Sequence, residues 1–226
     1  SLSYLTIEET YELIDAISAQ DLNEVKGELG DLLLHIVFYA KIASETNEFD
    51  IVDVIHTVCD KLVERHPHIY GDVIAQTEEE VKANWEKIKL KKGKKSVLEG
   101  VPKSLPAMVK STRIQEKARG VGFDWEHKDQ VFEKVLEEFR ELDKEISDSD
   151  DKSKVEKEFG DVLFSMINYA RFIGVDPELA LERTNKKFIG RFTYLESEVK
   201  KKRKNLVEMS LAEMDEIWNE SKKKFP

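Results

Sequence analysis

Two stretches of the chain, "VKGELGDLLLHIVFYAKI" at residues 25–42 and "VEKEFGDVLFSMINYARF" at residues 155–172, are copies of one pattern. Valine, glutamate, glycine, aspartate, leucine, tyrosine and alanine recur at equivalent positions, and Lys41 faces Arg171. A glutamate cluster precedes each copy, "EETYE" at residues 8–12 and "EEFRE" at residues 137–141. Because further matching segments follow in the same order, the sequence predicts two tandem copies of one module.

The apolar residues of each copy repeat at helical intervals of three and four residues. Asp50 is a plausible N-cap for a helix that stops before Pro67, and Asp176 precedes Pro177 in the same way. No stretch alternates with period two long enough to predict a strand. The sequence therefore predicts an all-α fold, with two tandem repeats of a module of about four helices packed as a bundle. The repeating apolar positions are Ile7, Tyr11, Ile14 and Ile17 in one helix, and Phe132, Val135, Phe139, Leu142 and Ile146 in another.

A lysine-, glycine- and proline-containing stretch separates the two copies. We predict an N-terminal module at residues 1–92, a linker at 93–106 and a C-terminal module at 107–226. The second module opens with "AMVKSTRIQEKARGVGFDW", which indicates a helix followed by a glycine-rich turn. The first module has no equivalent segment here, so we expect that its leading segment is missing.

Charge and cysteine content exclude several classes of protein. The 226 residues carry a net charge of −10, which argues against non-specific nucleic-acid binding. Cys59 is the one cysteine, so an intramolecular disulfide is impossible and a reducing cytoplasm is expected. No apolar run approaches the roughly 18 residues that would span a bilayer, so no membrane partner is expected.

Acidic residues recur at spacings that place them on one helical face. Glu9 and Glu12 are three residues apart, as are Glu28 and Asp31, and both pairs are neighbours on a helix. On adjacent antiparallel helices the four carboxylates would converge and repel, and a hard divalent cation, Mg²⁺ or Mn²⁺, would remove that repulsion. The alternative is an ordinary solvated acidic face. The equivalent residues of the second copy are Glu138, Glu141, Glu158 and Asp161.

Other residues near these clusters bear on the choice of metal site. A di-iron site is disfavoured, because neither copy has a Glu-x-x-His motif at this point. Gly30 and Gly160 lie inside apolar helical runs, where glycine costs ~1 kcal/mol against alanine, so we expect close approach of a helix or a ligand. His66, His68 and Asp72 form a metal-like group that the second copy lacks, and we expect the histidines to be satisfied locally.

Basic and aromatic residues recur later in each copy. Lys187 and Arg191 share a helical face, as do Trp218 and Lys222. Taken one at a time, each basic residue is expected to be a solvated cation, and the tryptophan a partly buried core residue. Beside a metal cluster they would supply cations for phosphate oxygens and an indole for stacking on a base. Their first-copy counterparts are Lys61, Arg65, Trp85 and Lys89.

These motifs resemble the MazG family of nucleoside triphosphate pyrophosphohydrolases, whose signature is Glu-Glu-x-x-Glu followed by Glu-x-x-Asp. The resemblance also includes "GELGDLL", "ERHPH", "LPAM", "GFDW" and "NKKF" and extends over nearly the whole chain. It implies an all-α homodimer that uses Mg²⁺ to hydrolyse NTPs to NMP and pyrophosphate. It also implies that Glu138, Glu141, Glu158 and Asp161 bind metal. Lys187, Arg191 and Lys222 would contact the triphosphate, with Trp218 near the base.

One polar residue distinguishes the two copies. Asn168 lies two helical turns after Asp161, where it could bond a ribose hydroxyl, a phosphate or a metal-bound water, whereas the first copy has Phe38. We therefore expect catalysis mainly in the second module and a degraded or regulatory site in the first. The expected reaction is attack of water at the α-phosphorus, with Glu137 or Glu138 orienting the water. A non-hydrolytic Mg-nucleotide sensor and an acidic helical interaction protein remain the alternatives.

Overall fold

A computed structural model describes residues 2–71, 77, 80–81 and 96–225, and the regular secondary structure in these ranges is helical. The all-α prediction is therefore confirmed. The chain divides into two compact units, Ser1–Glu99 and Gly100–Pro226. The predictions made for Asp72, Trp85 and Lys89, and for the first part of the linker, lie outside the described residues.

The described part of the first unit contains three long helices and one short helix. Asp21 caps the second helix by accepting hydrogen bonds from the backbone N–H groups of Asn23 and Glu24. Asp50 caps the third as predicted and forms a reciprocal capping box with Asp53. The helices are α1 (Ser3–Ala19), α2 (Leu22–Glu45), α3 (Ile51–Arg65) and α4 (Pro67–Tyr70).

Helices α1 and α2 pack against each other as a hairpin. Ala16 and Ala40 are buried, together with the polar side chain of His35. The hydroxyl of Thr6 lies 3.2 Å from Nδ1 of His35 and 2.8 Å from the hydroxyl of Tyr39, so these polar groups satisfy one another. The hairpin is thus held by small apolar side chains and one polar network, and it brings the acidic faces of α1 and α2 together.

The second unit contains five α-helices and one short 3₁₀-helix among the residues described. Asp176 caps the longest helix and Pro177 occupies its first position, as predicted. The helices are α5 (Ala107–Arg119), α6 (Lys128–Asp148), α7 (Lys152–Phe172), α8 (Pro177–Lys201), the 3₁₀-helix Leu206–Glu208 and α9 (Leu211–Ser221).

Two helical hairpins build the second unit. Helices α6 and α7, joined by the short link 149–151, bury Val135 and Leu142 on one helix and Val162 on the other. Helix α5 joins this hairpin through Gln115, whose Nε2 donates to the carbonyl of Phe164 over 2.9 Å. Helices α8 and α9 pack on a separate small core of Leu195, Val199 and Ile217. The α6–α7 hairpin positions the second acidic cluster, and the α8–α9 hairpin positions the predicted basic and aromatic residues.

Both copies leave the same apolar stripe uncovered. On α7 the stripe consists of Phe159, Leu163 and Met166, each about half exposed at 44–53%. The spacing of four and three residues places these side chains on one helical face. The equivalent residues on α2, which are Leu29, Leu33 and Ile36, are 46–59% exposed. Contiguous exposed apolar faces are uncommon on monomeric proteins.

Within the described ranges, no helix combines the length and the apolar content that crossing a membrane would require.

Candidate metal and nucleotide site

Three carboxylates converge in the α6–α7 hairpin. Glu138 and Glu141 lie one turn apart on α6, and Glu158 lies on α7. One oxygen from each lies within 4.8 Å of the others. Glu138 is buried, with 7% of its surface exposed, whereas Glu158 is half-buried and Glu141 exposed. The hairpin brings them together because its short link makes the start of α7 return alongside the end of α6.

Asp161, the fourth predicted ligand, lies beside this group rather than in it. It follows Glu158 by one turn on α7 and is exposed. Burial raises the pKa of the Glu158 carboxyl above its ordinary value, and the negative charges of Glu141 and Asp161 raise it further. Asp161 is therefore close enough to repel Glu158, although its oxygens lie outside the group of three.

Lys134, which was not predicted from the sequence, compensates part of this negative charge. Its Nζ lies 2.8 Å from Oε1 of Glu138 and 2.9 Å from Oε1 of Glu137. Hydrogen bonds to these two carboxylates raise the pKa of Lys134. The four-residue spacing from Lys134 to Glu138 was a usable signal, because such pairs meet on a helix. The equivalent residue of the first copy is Leu5, so this cation belongs to the second unit.

The first unit assembles a different three of its four predicted residues. Oxygens of Glu9, Glu28 and Asp31 lie within 4.8 Å of one another, and Glu12 lies outside the group. Burial raises the pKa of Glu28, and the neighbouring charges of Glu12, Glu9 and Asp31 add to the effect. Oε2 of Glu28 is buried and has no hydrogen-bond partner among the described residues. Both hairpins therefore concentrate negative charge at equivalent places.

The glycines beside the clusters face open space. A Cβ atom built on Gly30 or Gly160 would meet no other described atom within 4 Å, apart from the helix's own backbone. Close approach of another helix, one of the two expected roles, therefore does not occur among the described residues. Room for a ligand or another chain remains at both positions.

Asn168 is half-buried on α7 and is already engaged by a neighbour. Its Oδ1 accepts hydrogen bonds from Nε of Arg171 at 3.2 Å and from Nη2 of Arg171 at 2.8 Å. Arg171 also pairs with Asp124, in the "GFDW" segment that leads into α6. The predicted contact residue is thus held in a fixed orientation.

The predicted phosphate-binding cations belong to the α8–α9 hairpin. Nε and Nη2 of Arg191 donate to the carbonyl of Phe225 at 2.9 and 2.8 Å. Lys187 is half-buried, and Lys222 is exposed with its Nζ 2.8 Å from Oδ1 of Asn219. In the part of the chain that the structure describes, these three cations form no ion pair with the carboxylates of the α6–α7 cluster.

Trp218 is half-buried at the edge of the α8–α9 core. Its ring centroid lies 5.1 Å from that of Phe188, and it packs on the buried cluster that contains Leu195. This is the partly buried core tryptophan that the sequence analysis kept as an alternative. The exposed part of the ring still leaves a surface for stacking.

The equivalent region of the first unit is described only in part. Lys61 is exposed and Arg65 half-buried on α3. Nδ1 of His66 donates to the carbonyl of Leu62 over 2.7 Å, and the His66 and His68 rings lie 5.5 Å apart. The local hydrogen bond of His66 agrees with the expectation that the histidines are satisfied locally. For His68 the expectation is wrong, because its Nδ1 is buried and has no hydrogen-bond partner among the described residues.

The donor set in both hairpins is chemically suited to a hard divalent cation. All candidate ligands are carboxylate oxygens, which Mg²⁺ and Mn²⁺ prefer to nitrogen or sulfur donors. A bound cation would also relieve the mutual repulsion that raises the pKa of Glu158. The residues present therefore fit such an ion.

Comparison with known proteins places this geometry in a family. The MazG nucleotide pyrophosphohydrolase domain matches residues 1–70 and 127–195, so the prediction of two tandem modules is confirmed. The nucleoside triphosphate pyrophosphohydrolase of Escherichia coli K12 is 41% identical over 223 residues, covering 96% of this chain and 85% of the relative. The Thermotoga maritima protein named nucleoside triphosphate pyrophosphohydrolase/pyrophosphatase MazG is 43% identical, with 98% and 85% covered. The chain belongs to the MazG nucleotide pyrophosphohydrolase family.

Proposed function

We propose that this chain is a divalent-metal-dependent hydrolase that converts a nucleoside triphosphate and water to a nucleoside monophosphate and pyrophosphate. The convergence of Glu138, Glu141 and Glu158 within 4.8 Å is the observation that carries the proposal. The names of relatives that are 41–43% identical over most of the chain support the same substrate class.

The α6–α7 carboxylates, with Asp161 beside them, are the proposed ligands of Mg²⁺ or Mn²⁺. A bound cation would supply charge neutralisation for the triphosphate and acidification of water. Lys134 forms an ion pair with the buried Glu138 at 2.8 Å and so supplies a positive charge beside that ligand. Glu137 is exposed, lies outside the group of three and is held by Lys134 at 2.9 Å. We assign it, rather than Glu138, to orient the attacking water.

The α8–α9 residues are the proposed nucleotide contacts. Lys187, Arg191 and Lys222 would bind phosphate oxygens, and the exposed part of Trp218 would stack on the base. To bind a phosphate, Arg191 must replace its present hydrogen bonds, because its guanidinium donates to the Phe225 carbonyl in the structure. A phosphate oxygen is the stronger acceptor for a guanidinium, so the exchange is favourable.

Catalysis is assigned mainly to the second unit. Lys134 and Asn168 are replaced by Leu5 and Phe38 in the first unit, which therefore lacks two polar groups of the proposed site. The carboxylates Glu9, Glu28 and Asp31, together with Glu12, are a proposed second metal site. Lys61, Arg65, Trp85 and Lys89 are its proposed nucleotide contacts. Without the two missing groups, that site would bind rather than turn over nucleotide.

We also propose that the chain forms a homodimer. The exposed stripe of Phe159, Leu163 and Met166 on α7 is the supporting observation. Leu163→Glu would place a charge in the middle of that stripe and convert a dimer to a monomer, measured by analytical ultracentrifugation. Lys157→Glu, which introduces the same residue at an exposed position on the other side of α7, is the control. A wild-type chain that sediments as a monomer would contradict this assignment.

Product analysis tests the reaction. The full chain is incubated with each NTP and Mg²⁺ in ¹⁸O-labelled water, and the products are separated and weighed by mass spectrometry. We expect label in the nucleoside monophosphate and none in the pyrophosphate, because attack occurs at the α-phosphorus. Binding without products would favour the nucleotide sensor, and neither binding nor products would favour the interaction protein.

Matched variants locate the activity. Glu158→Gln and Asp161→Asn should abolish turnover and leave the fold intact. Glu28→Gln, the equivalent change in the first unit, should leave most of the turnover. A circular dichroism melt of each variant checks folding. Full activity in Glu158→Gln, or loss in Glu28→Gln alone, would refute the assignment to the second unit.

A further inference from the structure

The hydrogen bonds around Asn168 identify which of its two polar atoms is available to a ligand. Oδ1 accepts from both Nε and Nη2 of Arg171, at 3.2 and 2.8 Å. A guanidinium has only donors, so the atom facing Arg171 must be the oxygen. The Nδ2 amide group therefore points away from Arg171, and Asn168 can present a donor but not a metal ligand.

Arg171 is also held in place by two other residues, Asp124 and Phe172. Its Nη1 donates to Oδ2 of Asp124 over 2.9 Å, and its Nη2 also contacts Oδ1, which makes the pair bidentate. The Phe172 ring lies under the guanidinium, 4.5 Å from ring centroid to Cζ. The side chains of Arg171 and Asp124 are 13% and 20% exposed. The guanidinium is thus a rigid, largely desolvated fork between Asp124 and Asn168.

Asp124 connects this fork to the segment that leads into α6. The "GFDW" segment turns at Gly122, whose φ of +88° lies in the left-handed region that favours glycine. Arg119, at the end of α5, adds a second cation, with its Nε 3.6 Å from Oδ2 of Asp124. The segment between α5 and α6 is therefore fastened to α7 next to Asn168.

The first copy lacks this arrangement. Phe38 and Lys41 stand where the second copy has Asn168 and Arg171. A lysine at the arginine position would offer one point charge instead of a planar fork. The arrangement is thus a property of the second unit, the one to which catalysis is assigned.

We infer that Asn168 donates a hydrogen bond from Nδ2 to an acceptor oxygen of the bound nucleotide, and that Arg171 and Asp124 are positioning residues that fix this orientation. The inference rests on the proposed function. It identifies the acceptor as a phosphate or ribose oxygen. It also gives Asp124, in the "GFDW" segment, a role that does not require contact with the substrate.

Asn168→Asp is the variant that decides between the two atoms. An aspartate keeps an oxygen for Arg171 and strengthens that contact, but it replaces the outward donor by an acceptor. We expect kcat/KM to fall about 100-fold, as when a preorganised donor is removed. Activity at the wild-type level in Asn168→Asp would overturn the inference, since an outward oxygen would then serve equally well.

A double-mutant cycle tests whether Arg171 acts through Asn168. Arg171→Lys should lower kcat/KM about 10-fold in the wild-type background, and should have no further effect when Asn168→Ala is already present. Arg113→Lys, which alters an exposed arginine paired with Glu116 on α5, is the matched control and should leave kcat/KM unchanged. Additive losses in the cycle would show a merely structural role and overturn the positioning assignment.

Comparing ribo- and deoxyribonucleotides distinguishes the two sources of the acceptor. A 2′-hydroxyl contact would make the Asn168→Ala loss disappear with a dNTP. A contact to a phosphate, or to another ribose oxygen that both substrates share, would leave the loss equal. Either result supports donation to a nucleotide oxygen, whereas no loss with both substrates overturns it.

A binding experiment separates this inference from the proposed function. The probe is a nucleoside triphosphate with a methylene group in place of the α,β-bridging oxygen, added to ¹⁵N-labelled full chain. We expect the Asn168 side-chain NH₂ resonances to shift on binding. A bound analogue that moves backbone amides of α6 but leaves these resonances unchanged would overturn the inference alone. Absence of both analogue binding and turnover would overturn the proposed function and this inference together.

Discussion

The Nζ atom of Lys134 lies 2.8 Å from Oε1 of Glu138, one turn further along α6. The carboxylate side chain is 10% exposed and the lysine side chain 36% exposed, so the pair joins a buried charge to a partly solvated one. This contact places a cation beside the buried carboxylate in the metal-free hairpin. It also distinguishes the second unit from the first, where Leu5 occupies the equivalent position.

Lys134→Met should destabilise the metal-free protein by about 1–2 kcal/mol. Removing one partner leaves the buried Glu138 charge uncompensated, and the partial exposure of Lys134 reduces the penalty below that of a fully buried pair. Urea unfolding with and without Mg²⁺ measures the effect, and the added cation should recover part of the loss.

Lys201→Met is the control for that measurement. Lys201 pairs with Glu198 at 2.7 Å, but its side chain is 70% exposed, so we expect a much smaller loss than for Lys134→Met. A Lys134→Met protein that unfolds at the wild-type urea concentration would contradict the charge-compensating role.

As the pH is lowered, metal uptake should begin to weaken at a higher pH than it would if Glu158 had the pKa of an ordinary glutamate. The pKa of Glu158 is raised above its ordinary 4.5, first by burial and then by Glu141 and Asp161. A proton therefore competes with the cation for Glu158 before pH 4.5 is reached on lowering the pH. Calorimetric titration of Mn²⁺ at several pH values measures this dependence.

The effect of Glu158 on the stability of the metal-free protein should have the opposite sign: its destabilising contribution should decrease as the pH falls. A carboxyl whose folded-state pKa is raised opposes folding when charged, so protonating Glu158 on acidification removes that opposition. Glu158→Gln should reduce this pH dependence, and the raised pKa of Glu28 should account for part of what remains. A metal affinity that stays constant until pH 4.5, or a Glu158→Gln protein that keeps the wild-type profile, would be incompatible with the raised pKa.

The α8–α9 hairpin should lose a stabilising contact in acid. A hydrogen bond from Lys204, and further bonds from Ser210 at the start of α9, lower the pKa of Glu213 to about 2. A depressed folded-state pKa stabilises the fold above the ordinary value of 4.5, and the stabilisation is lost as pH falls from 4.5 to about 2.

Thermal unfolding between about pH 5 and about pH 2 measures this loss. Glu213→Gln should flatten that part of the profile, whereas Glu216→Gln, an exposed change on the same helix, should leave it unchanged. An unaltered profile in Glu213→Gln would mean that the Lys204 contact does not contribute to stability.

The helices and the acidic clusters were predictable because they depend on local spacing. The caps at Asp50 and Asp176 were read from residue type and position, and both occur. Glu138 and Glu141 meet Glu158 because a short link turns α6 back along α7, which the sequence indicated.

The exact membership of each cluster was not predictable. Asp31 joins its group whereas Asp161 stays outside, although the two are equivalent in sequence. That difference depends on side-chain packing and on neighbours such as Lys134, not on helical period. The partner of Arg191 is the carbonyl of Phe225, 34 residues away, and such long-range contacts leave no periodic signal.

Calorimetric titration of the full chain with Mg²⁺, with and without the α,β-methylene nucleotide, tests the central claim most directly. The account predicts saturable uptake that Glu158→Gln removes from the second unit and Glu28→Gln removes from the first. Wild-type protein that takes up no cation in either condition would contradict the claim that these carboxylates form a metal site.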